Sequence, residues 1–157
     1  MPNFNQSTRN MMEAMILGLR VTRATATLPQ TTNSSLFTIA GGVVLMTGIL
    51  GEVTTAIGAA DNTKLTHYPT VATAGDTDIC GTVDIDTCDI GDMLSITGTP
   101  ADAMLVAHKG SVQMMQYKGV VLQEGTLDLD CDASTTGAIK WSLWYIPLEP
   151  GAYVTAA

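Results

Sequence analysis

Ala138-Ile139-Lys140-Trp141-Ser142-Leu143-Trp144-Tyr145-Ile146 is the stretch that decides the fold. Along an extended chain, successive side chains point to opposite faces. Ile139, Trp141, Leu143 and Tyr145 then share one face, and Lys140, Ser142, Trp144 and Ile146 share the other. The first set is apolar enough for a core. The second is mixed, which leaves Trp144 partly exposed or covering a sheet edge. Alternation carried by Ile, Trp and Tyr marks a strand with one buried face.

The same texture extends back to Val21. Short strands are expected over 20–28, 35–40, 43–50, 52–57, 77–86, 93–98, 103–107, 111–117, 120–122, 125–131 and 152–155, besides 138–146. Residues 64–68 read as a short edge strand before Pro69. Pro29 ends the first strand, Gly41-Gly42 supplies a tight turn, and Gly48 and Gly51 allow a bend or bulge. Short strands at this spacing predict an all-β chain folded as an antiparallel sandwich or barrel, jelly-roll-like in layout. No strand–helix–strand alternation occurs, which argues against a parallel sheet.

Ahead of the strands, residues 1–8 read as an extended arm. Ser7 and Thr8 are N-cap candidates for a short helix through about Leu19. Met11, Met12, Met15, Ile16 and Leu19 fall on one helical face, and Gly18 weakens the last turn. A helix this short is marginal alone and must dock, either on its own sheet or on a neighbouring subunit. The chain thus divides into an arm and helix (1–19) and a β-domain (20–157).

Composition narrows the role. The 157 residues are 46% hydrophobic and only 14% charged, against about 25% charged in typical soluble proteins. A surface short of charge suits coverage by partners, and nine Met residues add adaptable contact surface. The net charge of −8, with seven Lys and Arg scattered except for Arg20 and Arg23, disfavours nucleic acid as a partner. No stretch approaches the roughly 20 apolar residues of a membrane span, so no membrane partner is expected. The apolar run at 11–19 is broken by Glu13 and preceded only by Arg9, so a cleaved signal is not expected despite Ala24-Thr25-Ala26.

The nearest approach to a chemical site is acidic. Asp128, Asp130 and Asp132 would project from one face of a strand, and Asp84, Asp86, Asp89 and Asp92 surround a turn before Gly91. The EF-hand pattern fails, because Ala133 and Ile139 stand where Gly and Glu are needed. A solvated acidic face is the plain reading, and a calcium-dependent, lectin-like sandwich is the rival. His67 and His108 lack metal-ligand spacing. Cys80, Cys88 and Cys131 form no CxxC pair and read as buried, reduced thiols. No nucleotide-binding, hydrolase or metalloprotease motif occurs. No catalytic residue, metal or cofactor is therefore expected, and the chain does not read as an enzyme.

Three segments carry a resemblance: Val21-Thr22-Arg23-Ala24-Thr25-Ala26-Thr27-Leu28-Pro29-Gln30, Leu36-Phe37-Thr38-Ile39-Ala40-Gly41-Gly42 followed by Gly51-Glu52-Val53-Thr54-Thr55-Ala56-Ile57, and the ending from Gly137 to Leu148. Across most of residues 20–157 the chain resembles small virion proteins of tailed bacteriophages. The resemblance implies a capsid decoration (cement) protein, made in the host cytoplasm. It would act on the capsid exterior as a homo-oligomer, dimer or trimer, bound to the major capsid protein. A tail-tube or head–tail connector role is the alternative within the virion. From the apolar stripe, the expected capsid or subunit contacts are Phe4, Met11, Met12, Met15, Ile16 and Leu19.

Overall fold

The computed structural model describes residues 6–71, 73, 75–113 and 118–157, and these hold one helix and twelve strands. In chain order they are α1 (Gln6–Ile16), β1 (Leu19–Thr27), β2 (Asn33–Ala40), β3 (Val44–Thr55), β4 (Asn62–Pro69), β5 (Thr77–Asp78) and β6 (Val83–Asp84). There follow β7 (Met93–Ser95), β8 (Leu105–Ala107), β9 (Val120–Leu122), β10 (Gly125–Cys131), β11 (Ala138–Pro147) and β12 (Tyr153–Ala156).

The pairings nest. β1 pairs with β11, β2 with β10, β3 with β7 and β4 with β5, all antiparallel. A long two-stranded ribbon is thereby folded across itself, and these successive strand pairs fall alternately into two layers. One sheet runs β1-β11-β3-β7-β8, with β9 also on β3; the other runs β12-β2-β10-β4-β5, with β6 also on β4. This is a sandwich in jelly-roll order. The barrel alternative is corrected: among the described residues no named strand of one sheet pairs with a strand of the other, although an isolated bridge joins Gly81, between β5 and β6, to Ala103, just before β8. Near β1 and β12 they are linked instead by Arg23 Nε, which donates to the Ala157 carbonyl at 3.3 Å.

The expected alternation in β11 holds on the core side, where Ile139, Trp141, Leu143 and Tyr145 are all buried. They pack with Met46, Ile49 and Val53 of β3 and with Phe37, Ile39, Leu65, Leu127 and Leu129 of the facing sheet. Trp144 departs from expectation. It lies on a central strand, is buried, and its indole N–H donates to Glu13 of α1. The two segments expected at 43–50 and 52–57 are a single strand, β3. Gly48 stands opposite Trp144 and Gly51 opposite Trp141, and at Gly51 the missing side chain leaves room for the Trp141 indole. A bulge falls between Trp144 and Tyr145.

Several other expectations are corrected. β4 is no edge strand, since β10 flanks one side and β5 and β6 the other. Pro69 itself pairs with Gly125. Residues 77–86 form only two short strands, because Ile79 and Cys80 are buried in succession and do not alternate. The strand expected at 111–117 is absent over 111–113, and 114–117 lie outside the described residues. The helix starts at Gln6, so Ser7 and Thr8 sit within its first turn. Gly18 does more than weaken the helix. It adopts a left-handed φ of 94°, and a Cβ there would collide with the Tyr145 carbonyl. It therefore turns the chain from α1 into β1 at a point too tight for any side chain. The arm's residues 1–5 lie outside the described residues.

Candidate functional site

Two places in the molecule carry more than packing: the outer face of α1 with its neighbours, and a polar cluster where β7 and β8 begin and end.

The helix is held to the sheet by its polar side. Glu13 Oε1 accepts from the Trp144 indole N–H at 2.6 Å and pairs with Arg20 Nε at 3.3 Å. Thr47 Oγ1 donates to the Leu17 carbonyl. Thr47 is the extra residue at the β3 bulge. The apolar stripe consequently faces outward. Met15 is 81% and Ile16 70% exposed, and Met11, Met12 and Leu19 are also open to solvent. Of the two docking readings, burial of this stripe on its own sheet does not occur. Phe4 lies outside the described residues. Ile146, from the outer face of β11, is exposed and reaches toward Gly18, so it borders the stripe. Among the described residues β1 pairs only with β11, and it begins at the exposed Leu19.

The acidic groups are bound up in local structure. Asp128 is buried on β10 and accepts from Asn33 Nδ2 at 2.8 Å. Asp130 lies 3.9 Å from Lys64 Nζ, which sits closer to Asp78, at 2.8 Å. Its hydrogen bond to Lys64 is the leading cause holding the Asp78 carboxyl below its ordinary value. Asp132 lies beyond the end of the strand and accepts from the backbone and side-chain amides of Asn62. The expected row of three projecting carboxylates is therefore not formed. Asp84 accepts from the amides of Asp61 and Asp86, and Asp86 from that of Thr87, so these carboxylates shape turns. Sequence reading missed Asp61, whose Oδ1 accepts from the amides of Asp132 and Ala133. Burial pushes its carboxyl up, with the Cys131 thiol and those amides opposing.

The second cluster follows from register. Met93 pairs with Ala107, so Asp92 and His108 fall opposite each other one step beyond the ladder. His108 Nδ1 lies 2.8 Å from Asp92 Oδ2. The turn after Cys88 folds back, with the Asp89 amide donating to Asp92 Oδ2 and the Lys109 amide to Oδ1. Burial acts to raise the Asp92 carboxyl, but the hydrogen bonds from Asp89, His108 and Lys109 outweigh it and hold it below its ordinary value. Cys88 lies beneath, 1% exposed, and one donor atom from each of Cys88, Asp92 and His108 falls within 4.8 Å of the others. Thr87 and Lys109, which flank the cluster, hold left-handed φ values of 69° and 78°. Asp92 and His108 are separated in sequence, and only the pairing of β7 with β8 brings them together.

His67 is buried, with Nε2 3.1 Å from the Gln123 carbonyl. The three cysteines are buried and unpaired. Burial pushes the thiols of Cys80 and Cys88 up to about 11 and that of Cys131 up to about 12. Among the described residues no helix is long and apolar enough to cross a membrane.

No protein-family model matches the chain, and no curated protein matches its sequence.

Proposed function

We propose that this chain is a non-enzymatic structural protein of a tailed-phage head. It binds the outer surface of the major capsid protein lattice and stabilises the shell as a homo-oligomer. The observation that carries the reading is the outward apolar patch of Met11, Met12, Met15 and Ile16 on a helix anchored by its polar side, continued by Leu19, which is not helical as expected but opens β1. Exposing four large apolar side chains on a helix this short, with a fifth beside it on β1, is unfavourable unless something covers them. The edge of β1 that no other described strand pairs with adds backbone groups for pairing. The jelly-roll order agrees, since that fold serves viral capsid proteins among other uses, although fold alone carries only analogy. On a symmetric lattice many weak contacts add up through avidity.

The test is co-sedimentation with shells that lack the protein, with bound copies counted. Saturation over the whole surface, with shells made more heat-resistant, supports decoration. Binding confined to one vertex points to the connector reading instead. Deleting residues 1–19 should abolish binding and leave a folded β-domain, and retained binding would refute the role given to the helix.

A further inference from the structure

We propose that Cys88, Asp92 and His108 form a binding site for a divalent transition ion of the zinc class. The argument starts from the donor set: one sulfur, one imidazole nitrogen and one carboxylate oxygen, mutually within 4.8 Å. In a tetrahedral zinc site such donors stand roughly 3.3–3.7 Å apart, whereas His108 Nδ1 and Asp92 Oδ2 are 2.8 Å apart, so an ion would part this pair slightly as it replaces their shared hydrogen bond. The His108 side chain is 53% exposed and free to make that adjustment. Thiolate and imidazole favour zinc, cobalt or copper over calcium and magnesium, which take oxygen ligands. This site is therefore distinct in chemistry from the calcium reading of the acidic turns.

The surroundings prepare the ligands. The amides of Asp89 and Lys109 fix the orientation of the Asp92 carboxylate, as outer partners do in metal sites. Three protein ligands leave a fourth position. A solvent-open depression of about 430 Å³, lined by Thr87, Asp89, Asp92, His108 and Lys109, lies over the cluster. Water or the exposed Asp89 carboxylate fills that fourth position from there. Binding replaces the Cys88 thiol proton with the metal and releases the proton to solvent, so the step involves no change of oxidation state. Bound metal would add a further tie between the end of β8 and the 85–92 turn, which backbone hydrogen bonds already join to Val53 and Ile57.

The experiment is titration of the reduced full chain with cobalt(II), read by optical absorption. One equivalent should produce a thiolate-to-cobalt charge-transfer band together with visible ligand-field bands, and zinc should displace both. Cys88→Ser should remove the charge-transfer band, whereas Cys80→Ser and Cys131→Ser should leave it. Because Cys88 is in the core, His108→Ala provides the second arm: it alters an exposed side chain and should abolish the ligand-field pattern with the circular dichroism unchanged. A wild-type spectrum indifferent to cobalt overturns the proposal. So does a spectrum that survives either Cys88→Ser or His108→Ala.

Discussion

Gly51 faces Trp141 across the β3–β11 ladder, and a Cβ at that position would lie 2.9 Å from the indole. The indole is 1% exposed and enclosed in a close-packed core, where the adjoining cavity of about 10 Å³ gives little room to shift. Gly51→Ala should therefore destabilise by about 1–3 kcal/mol, as overpacked cores do. Urea denaturation would show it as a lower midpoint with an unchanged slope. His67 sets a pH dependence. Burial lowers its pKa from the ordinary 6.5, outweighing the Gln123 carbonyl and the Asp128 charge. The unfolded imidazole takes up a proton first, so the stability it contributes is full above about 6.5 and declines as pH falls from there toward the folded value. Thermal midpoints measured from pH 8 to pH 5 should fall more gently in His67→Gln than in the wild type. At this scale the sequence is informative where a side chain answers to its own strand. Ile139, Trp141 and Leu143 could be assigned to the core from alternation alone. Trp144 could not, because its cover comes from Glu13, far away in sequence. The pairing of Asp92 with His108 was likewise hidden, since it depends on which residue of β8 meets Met93.

The helix is the element whose attachment and exposure separate cleanly. Glu13 is the joint, and Met15 and Ile16 are the face presented to solvent. Replacing Met15 and Ile16 together with Glu should abolish shell binding and change stability by no more than about 0.5 kcal/mol per site, as surface substitutions do. Co-sedimentation and a thermal melt on the same sample would check both halves. Glu13→Ala should do the reverse to the joint. It removes a charge-assisted hydrogen bond worth about 1.5–3 kcal/mol and wets the Trp144 indole. A red shift in tryptophan emission is the expected sign, and emission unchanged from wild type would count against the joint. The helical stripe was legible in the spacing of its apolar residues. Its direction was not, because spacing defines a face without saying what the face meets. The strands show the same division. β10 and β11 were readable because their inner and outer positions differ in polarity. β5 and β6 were not, since the segment between them buries consecutive residues and owes its pairing to β4.

For the molecule as a whole, the two layers enclose all three thiols, and burial holds each of them protonated. Iodoacetamide at neutral pH should leave the native chain unmodified, while the urea-unfolded chain should gain three adducts, as mass spectrometry would record. A reducing agent should leave the melting temperature where it is, and a drop would reveal a disulfide. The sandwich class followed from the number and spacing of strands; the layer assignment needed the pairings themselves. Those pairings have a further result for the cell that makes the protein. β1 and β3 both wait for β11, so a nascent chain stalled before Ala138 leaves two early strands without their shared neighbour. Such a fragment has no way to close the sheet beneath Trp144, and the seat for the helix is missing with it. Interrupted translation products would thus carry the apolar stripe on a helix with no indole to anchor it, and only chains read through β11 would present that stripe in a fixed orientation.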